Sequence, residues 1–326
     1  MIRYVLFNEK GSAQKGSRLD YPKLAKNDYL LIFLSKPSKE EIDKVSSDFS
    51  FDKKPIINLS KETHSRRYIT VPFQFTMRAT YLENGKVEFS NLIFILTNKC
   101  LIVASSKEAG YYDELIDNLY EEFRKTKVRS ICHVFCNFLQ EDVDENYEVL
   151  GKMEEQIKDV ELKVVVFEKN VSVNVDDIIY LKSRLYKMSR QFWSITRVIS
   201  LIRMGASQVY IDPESTRLLG DVHETFLHQI DVIAAQKEML SDALTIYSTS
   251  VNNKLAIISN DLNLVMKRLA AYGLILLIPT LISGIFGMNL MNIPLEHFSW
   301  GFYAVTGAIF AIMAAIILYA KKKGLL

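Results

Sequence analysis

The sequence predicts an N-terminal α/β domain, a long α-helical stalk and two C-terminal transmembrane helices. Strand-like runs are concentrated in residues 1–140. From residue 141 onward, apolar side chains recur at spacings of three and four, which is the period of amphipathic helices. Near the C-terminus, two uncharged stretches each hold enough apolar residues to cross a hydrocarbon core about 30 Å thick.

The α/β domain is predicted over residues 1–140. Five runs there are rich in β-branched residues or alternate between apolar and polar ones, as strands do. The runs are Ile2–Phe7, Tyr29–Leu34, Tyr68–Tyr81, Val87–Leu96 and Cys100–Ala104. Asn84-Gly85 lies between two of them and predicts a hairpin turn. Asp113–Phe123 has one charged and one apolar face, so we expect a helix to follow the strands.

The stalk is predicted over residues 141–268 as three helices. The first begins near Glu141, and the second extends from Asp176 to about Met204. Asp212-Pro213 starts the third, because it places a capping residue before a proline at the first helical position. The apolar stripe of the third helix consists of Phe226, Ile230, Ile233, Leu240, Leu244, Tyr247, Val251, Leu255, Ile258, Leu262, Val265 and Leu269. So long a repeat predicts packing along the whole helix, against the two preceding helices and against further copies of itself.

The membrane part is predicted as a hairpin of two spans. The first span covers residues 269–289, a loop covers 290–297, the second span covers 298–320, and a basic cytoplasmic tail covers 321–326. Neither span contains a charged residue. Each stretch therefore suits a single crossing of the bilayer.

The charges that flank the spans predict the orientation. Lys267 and Arg268 precede the first span, and Lys321, Lys322 and Lys323 follow the second as a basic cytoplasmic ring. The positive-inside rule places these flanks, the large N-terminal part and both termini in the cytoplasm, with the loop outside. No short apolar segment with a cleavage site opens the chain, so we expect no signal peptide. We expect a multi-pass protein of the plasma or inner membrane.

A second stripe on the third helix is made of small and polar residues and continues into the first span. It consists of Asn263, Met266, Ala270, Gly273, Leu277, Thr280, Gly284 and Gly287. The spacing alternates between three and four, so these residues share one face of a slightly supercoiled helix. Small residues on a membrane helix serve either close helix packing or the lining of a pore. The polar side chains of Asn263 and Thr280 favour a pore, because polar groups at membrane depth face protein or water.

The end of the first span carries a resemblance to a known family. A Gly-Met-Asn triplet in this position, within Phe286–Asn289, resembles the CorA family of magnesium channels. Val265-Met266-Lys267, Pro279-Thr280, Trp300-Gly301 and the terminal lysine run are also similar to the family pattern. The resemblance implies a funnel-shaped homopentamer in a lipid bilayer that carries Mg2+, and also Co2+ or Ni2+, without an organic cofactor.

The resemblance also implies roles for pore residues. Gly287, Met288 and Asn289 would form the selectivity mouth, and the stripe that begins at Asn263 would line the pore. Met266 and Leu277 would form rings of an apolar constriction, which can stop ions by dewetting. Pro279 would open the helix backbone locally and free carbonyl groups toward the pathway.

Two acidic residues receive roles by the same resemblance. Asp221 matches the acid of a regulatory Mg2+ site that keeps channels of the family shut. Its partner acid should fall close to Asn58-Leu59, where the sequence has no carboxylate. Glu296 would concentrate cations at the mouth, although it is displaced by about one position from the acid of the family.

The chemistry of Mg2+ explains why neutral groups suit such a mouth. Mg2+ dehydrates reluctantly and usually keeps several waters when it is bound. Asn289 offers a side-chain carbonyl, and Gly287 leaves its backbone carbonyl accessible, so both can accept hydrogen bonds from the hydration shell. No carboxylate lies in either span, so tight binding that would block exit is avoided.

Other classes of function have less support. The net charge of +2 argues against a nucleic-acid partner. The glycines at Gly11 and Gly16 lack the following lysine of a phosphate loop, so we expect no nucleotide partner. No HExxH, GxGxxG or nucleophile elbow occurs, so we expect no enzyme. Cys100, Cys132 and Cys136 predict buried free thiols rather than a zinc site, because the C-x3-C spacing has no second pair.

Two alternative functions stay open. The first is a zinc transporter that resembles ZntB of the same superfamily, whose members commonly replace the methionine that is kept here as Met288. The second is a membrane-anchored helical scaffold that conducts nothing. The polar stripe and the Gly-Met-Asn mouth argue against the scaffold.

Overall fold

The computed structural model describes residues 2–8, 13–17, 21–22, 24–25, 27–61, 67–68, 72–108, 110–165, 174–288 and 298–324. The chain divides into two compact units, Met1–Thr245 and Ile246–Leu326. The first unit contains the sheet, and the second contains the two most apolar helical segments.

The described residues of the first unit form one seven-stranded mixed sheet. Its strands are β1 (Ile2–Asn8), β2 (Ala13–Gly16), β3 (Asp28–Ser35), β4 (Arg67–Tyr68), β5 (Phe73–Glu83), β6 (Lys86–Leu96) and β7 (Cys100–Ser105). Their order is β2-β1-β3-β7-β6-β5-β4. Among the described strands, β3 and β7 are the one parallel pair, with Leu30 opposite Cys100. The predicted strands are confirmed, with β4 and β5 in place of the run predicted from Tyr68, whereas β2 was not predicted.

The predicted hairpin turn is confirmed between β5 and β6. Glu83 pairs with Lys86 across the turn. Asn84 and Gly85 have φ angles of 51° and 73°. Both angles are left-handed, as a two-residue type I′ turn requires, and asparagine and glycine adopt them at low cost.

Alternate residues of the central strands cover the two faces of the sheet. Ile32 and Leu34 of β3 pack in one cluster with Ile42 of α1 (Lys39–Phe49), a helix that was not predicted. Phe33 points to the other face, where its ring lies 5.0 Å from that of Tyr112. Tyr112 belongs to α3 (Gly110–Lys125), which contains the predicted helix 113–123. Helices on both faces exclude water from the sheet.

Further helices connect and follow these elements. They are the short α2 (Lys54–Ile57) and the long α4 (Ile131–Val165), α5 (Val175–Arg203) and α6 (Pro213–Phe286). α5 agrees with the predicted second stalk helix. α4 begins well before the predicted start at Glu141, because residues 131–139 are buried on every side and have no polar face that would reveal a helical period. The domain boundaries at residues 140 and 268 stay predictions, since α4 and α6 extend across them.

The cap predicted for the third stalk helix is present at the start of α6. Asp212 Oδ1 accepts a hydrogen bond from the backbone N–H of Ser215 at 3.1 Å, and Asp212 Oδ2 accepts one from the hydroxyl of Ser130 at 2.5 Å. Ser130 Oγ accepts in turn from the backbone N–H of His133 at the start of α4, at 3.1 Å. Burial would raise the pKa of Asp212, but these hydrogen bonds outweigh it and hold that pKa below its ordinary value. One carboxylate thus fixes the starts of two long helices.

The apolar stripe of α6 changes from buried to exposed along the helix. In the first unit Phe226, Ile233 and Leu240 are buried. In the second unit the later members of the stripe are about half exposed: Leu255, Ile258, Leu262, Val265 and Leu269. A regular apolar stripe that stays uncovered in a single chain favours packing against further copies.

The second unit contains the rest of α6 together with α7 (Gly301–Lys322). α7 begins at Gly301 rather than at the predicted Phe298 and includes Lys321 and Lys322. Both helices pass the length and hydropathy criteria for a membrane span.

The three cysteines of the chain, Cys100, Cys132 and Cys136, are free and buried, as predicted. Burial raises the pKa of the Cys100 thiol well above its ordinary value, which keeps it in the unreactive thiol form. No group of three or more His, Cys, Asp or Glu side chains that could hold a metal occurs among the described residues.

Candidate functional site

The stripe predicted to line a pore lies on an exposed face of α6. All eight members are exposed: Asn263, Met266, Ala270, Gly273, Leu277, Thr280, Gly284 and Gly287. The two members predicted to form an apolar constriction, Met266 and Leu277, are 64% and 62% exposed. A helix rises about 1.5 Å per residue, so they lie about 16 Å apart along it. Because no described part of the single chain covers these eight residues, the stripe is available to line a passage.

The opposite face of α6 is the less exposed one. Five apolar residues there are the less exposed ones of this segment: Ala271, Ile275, Ile278, Pro279 and Ile282. The matching row on α7 is Val305, Ile309, Met313, Ile316 and Ala320. Successive residues turn by about 100° around a helix, which places the buried row of α6 on the side away from the stripe. We infer from these two rows that α7 packs on the back of α6 and leaves the stripe free.

Contacts within the chain do not explain the glycines of the stripe. A Cβ added at Gly273 or Gly284 would meet no atom within 4 Å. At Gly287, by contrast, a Cβ would lie 3.1 Å from the carbonyl oxygen of Ser283. The described part of the chain thus has room for a larger residue at 273 and 284, and small residues at such positions suit close approach of another helix or a passing solute.

Thr280 is a polar member of the stripe, and Pro279 precedes it. The hydroxyl of Thr280 donates to the carbonyl of Leu276 at 2.7 Å. Because its proton is used, the hydroxyl presents only acceptor lone pairs outward, and acceptors are what the waters around a cation require. Pro279 has no N–H for the carbonyl of Ile275, yet α6 remains helical through this position, so the local opening predicted at Pro279 is confined to that one missing bond.

The predicted mouth lies at the C-terminal end of α6. The N–H of Gly287 donates to Ser283 at 2.8 Å and that of Met288 to Ile285 at 3.3 Å, which closes the last turn. Met288 is 54% exposed. Asn289 and Glu296 lie outside the described residues.

The predicted basic ring lies at the C-terminal end of α7. Lys321, Lys322 and Lys323 are exposed at the end of α7. Ala320, directly before them, is 4% exposed, so the lysines begin where the packed apolar row ends. Lysines at this boundary keep their charged heads in water.

Asp221, the predicted regulatory ligand, lies on the exposed side of α6 in the first unit. Its Oδ2 lies 2.8 Å from Nη1 of Arg217, one turn earlier, and both side chains are more than half exposed. No sequence signal had singled out Arg217, although its i,i+4 spacing to an acid is the signal that could have found it. Asn58 is exposed at the end of α2, so that helix presents no second carboxylate there. One carboxylate provides fewer ligands than octahedral Mg2+ needs, so within the described part of one chain the residues do not complete a Mg2+ site.

The exposure of the two apolar helices indicates which environment surrounds them. Their most apolar 18-residue windows have mean hydropathies of 2.1 and 2.2, and only 11% and 6% of these windows are buried. A core helix of a soluble protein would be mostly buried. Such a large exposed apolar surface is unfavourable in water. A lipid bilayer is therefore the environment that suits the two helices.

Comparison with known proteins agrees with this geometry. The profile of the family described as CorA-like Mg2+ transporter protein matches residues 27–322. The chain is 24% identical over 245 residues to the cobalt/magnesium transport protein CorA of Thermotoga maritima, covering 75% of this chain and 67% of that protein. It resembles the complete structure of the CorA magnesium transporter from Methanocaldococcus jannaschii with a TM-score of 0.69 at 19% identity, over 99% of this chain and 98% of that one.

A further structural neighbour covers about three quarters of the chain. The ZntB cytoplasmic domain from Vibrio parahaemolyticus has a TM-score of 0.57 at 10% identity, over 76% of this chain and 98% of that one. At this identity the likeness concerns the fold alone. The family match, by contrast, covers both apolar helices as well as most of the first unit. The chain belongs to the CorA-like Mg2+ transporter family and is a divalent cation transporter of a membrane.

Proposed function

We propose that the chain forms a channel that moves Mg2+, and also Co2+ or Ni2+, into the cytoplasm down its electrochemical gradient. One observation carries this proposal. The small and polar stripe of α6 lies on the face that α7 leaves uncovered, and the Gly-Met-Asn triplet follows directly after it. A charge crossing 100 mV gains about 2.3 kcal/mol, so a divalent ion needs no other energy source to enter.

The proposed passage is shared by five copies of the chain. The uncovered glycines Gly273 and Gly284 support close approach of α6 helices, and the exposed apolar stripe from Leu255 to Leu269 supports their packing below the membrane. In this arrangement Met266 and Leu277 form two apolar rings that block ions when they are dry. The loop lies outside and both termini lie in the cytoplasm, as the basic flanks favour.

Selection and regulation complete the proposal. A ring of Asn289 carbonyls would hydrogen-bond hydrated Mg2+ without stripping it, with Glu296 raising the local cation concentration. Cytosolic Mg2+ would inhibit transport, with Asp221 as one ligand and further ligands supplied by a neighbouring copy. The fit of the soluble part to both a magnesium transporter and a ZntB domain means that the fold alone does not choose the ion.

The experiment is ion uptake by proteoliposomes. Purified protein is reconstituted with a fluorescent Mg2+ indicator inside, and uptake of Mg2+ and of Zn2+ is compared at equal gradients and equal inside-negative potential. We expect Mg2+ uptake that depends on the potential and is lost in Asn289→Ala. Uptake of Zn2+ but not of Mg2+ would favour the zinc transporter, and no uptake of either ion by folded pentamers would support the scaffold.

A further inference from the structure

We propose that the first unit contains a second binding site, for a phosphate monoester with an apolar ring-bearing body. The site is a crevice at the carboxyl ends of β3 and β7, which we name the β3–β7 crevice. Its lining includes Lys36, Lys39, Ile56, Leu59, Ser60 and Ser106. It is separate from the glycine segment around residues 11–16 that the sequence excluded as a phosphate loop, and it does not depend on the proposed ion passage.

The topology of the sheet creates the crevice. β3 and β7 are parallel neighbours, so their carboxyl ends lie at the same edge. After β3 the chain continues into α1 on one face of the sheet, and after β7 it continues into α3 on the opposite face. Connections that diverge from neighbouring parallel strands leave a gap between them, which is where open α/β sheets bind their ligands.

The size and floor of the crevice suit a small organic molecule. Its volume is about 540 Å³. This lies inside the range of roughly 300–1,000 Å³ typical of ligand pockets. Ile42, Ile56 and Leu59 form a buried apolar floor, and Ile57 at the rim is half exposed. The exposed aliphatic surface of the crevice is that of Ile57, with the half-buried Pro37 beside it in the lining, and a flat ring can lie on this surface.

The charge around the crevice suits an anion. Lys36 and Lys39 lie in its lining, and no carboxylate does. Among the described residues, neither lysine forms an ion pair or side-chain hydrogen bond. The oxygen of the Ser106 hydroxyl accepts from the N–H of Asn91 at 3.1 Å, which leaves its proton free to donate. The crevice therefore combines two cations with a hydroxyl donor.

The start of α1 carries both free backbone donors and the carboxylates of Glu40 and Glu41 in its first turn. Ser38 and Glu41 satisfy one another in a capping box, so this carboxylate is held by the backbone N–H of Ser38 at 2.8 Å. The N–H groups of the first helical residues, Lys39 and Glu40, have no partner within the helix. Helix N-termini of this kind favour phosphate, whose three terminal oxygens can use more donors than a carboxylate can.

The backbone at Lys36 supports a role for its side chain. Lys36 has a φ of 44°, a left-handed conformation that is unfavourable for a residue with a Cβ. Its N–H donates to the carbonyl of Ser105 at 3.0 Å, which ties the strained residue to the end of β7. Strained non-glycine residues are concentrated at binding sites. Glycine or asparagine would take this conformation more easily, but neither would supply a cation.

The test is binding of AMP to the full-length protein in nanodiscs, measured by equilibrium dialysis with radiolabelled nucleotide in metal-free buffer. AMP is chosen because it combines a phosphate monoester with a flat aromatic base and binds metals only weakly. Adenosine and inorganic phosphate serve as competitors. We expect AMP to bind, adenosine to compete poorly, and inorganic phosphate to compete at least tenfold more weakly than unlabelled AMP.

Three variants locate the binding. Lys36→Gln/Lys39→Gln should weaken AMP binding at least tenfold, because each charge-assisted bond that is lost is worth about one factor of ten. Ser60→Glu places a like charge at the exposed rim and should weaken binding without touching either lysine. Lys54→Gln/Lys61→Gln removes the same charge from exposed positions outside the lining and should leave binding unchanged. No AMP binding at millimolar concentration, or equal binding by the crevice variants and the control, would overturn the site. Equal competition by inorganic phosphate would overturn the apolar half of the assignment.

Discussion

Asp142 on α4 provides the sharpest test of the packing in the first unit. Its side chain is 1% exposed. Oδ2 accepts a hydrogen bond from Nδ2 of Asn146 at 3.1 Å, whereas Oδ1 has no partner among the described residues. Burial is the main cause that raises the pKa of Asp142 from 3.8 to about 7, and the nearby carboxylate of Glu145 raises it further. The folded state thus prefers the neutral acid.

This preference makes stability depend on pH with a definite sign. Because the folded pKa lies above the unfolded one, the folded state becomes less stable as pH rises from about 4 to about 7, and no further loss follows above that range. One unit of difference between two pKa values corresponds to about 1.4 kcal/mol, so the ionised carboxylate costs the fold about 4 kcal/mol at pH 8 and about 1 kcal/mol at pH 4.5.

Asp142→Asn should remove this cost, because the amide has the same shape and does not ionise. We expect the variant to be more stable than the wild type by up to about 4 kcal/mol at pH 8, or roughly 10 °C in midpoint for a unit of this size. At pH 4.5 the gain should shrink to about 1 kcal/mol. Thermal unfolding of the full-length protein in detergent, followed by intrinsic fluorescence at both pH values, measures the difference.

The matched control is Asp144→Asn, two residues away on the same helix and exposed. This surface change should alter stability by less than about 0.5 kcal/mol at either pH. If Asp142→Asn instead lowered the midpoint at pH 8, the ionised carboxylate would be stabilised by the fold, and if it raised the midpoint equally at both pH values, the pKa of Asp142 would not be shifted. The burial argument would then be wrong.

Three further predictions concern transport. Gly284→Leu should abolish uptake in proteoliposomes, because the added side chain enters the uncovered stripe. The control Gly307→Leu, on the face of α7 away from α6, should retain uptake. Equal loss of uptake in both variants would contradict the assignment of faces. Asp221→Ala should weaken inhibition by Mg2+ on the cytosolic side. Arg217→Ala should lower the half-inhibiting Mg2+ concentration about twofold, since it removes a competing ion pair worth about 0.3–0.5 kcal/mol. The Arg217 effect should vanish in the Asp221→Ala background, and an effect that persists there would show that Arg217 acts elsewhere.

Much of the fold could be predicted from local patterns. The β-branched runs gave the positions of β1, β3, β6 and β7, and Asn84-Gly85 located the hairpin because few other residues adopt two successive left-handed conformations cheaply. The helix cap at Asp212 could also be predicted from local sequence, because a capping residue precedes a proline there. The start of α4 could not be read, because residues 131–139 are covered on all sides and lack the polar face on which helical periodicity depends.

The candidate site could be predicted in part. The stripe from Asn263 to Gly287 follows from spacing alone, since residues three and four apart share a helix face. Which way that face points does not follow from spacing. The structure supplies the answer through the burial of Ile275, which lies on the face of α6 away from the stripe. The pairing of Asp221 with Arg217 likewise became evident only from side-chain distances.

By itself the sequence determined the local properties of this protein: where the chain is helical or extended, where it is apolar enough for lipid, and which residues share a face. These follow from side-chain chemistry and from the periods of the helix and the strand. The tertiary structure alone decided what covers each face. It brought Ser130 and Asp212 together, buried Asp142 and opened the crevice at the ends of β3 and β7. Such contacts join residues far apart in the chain, and no local period records which of them will meet.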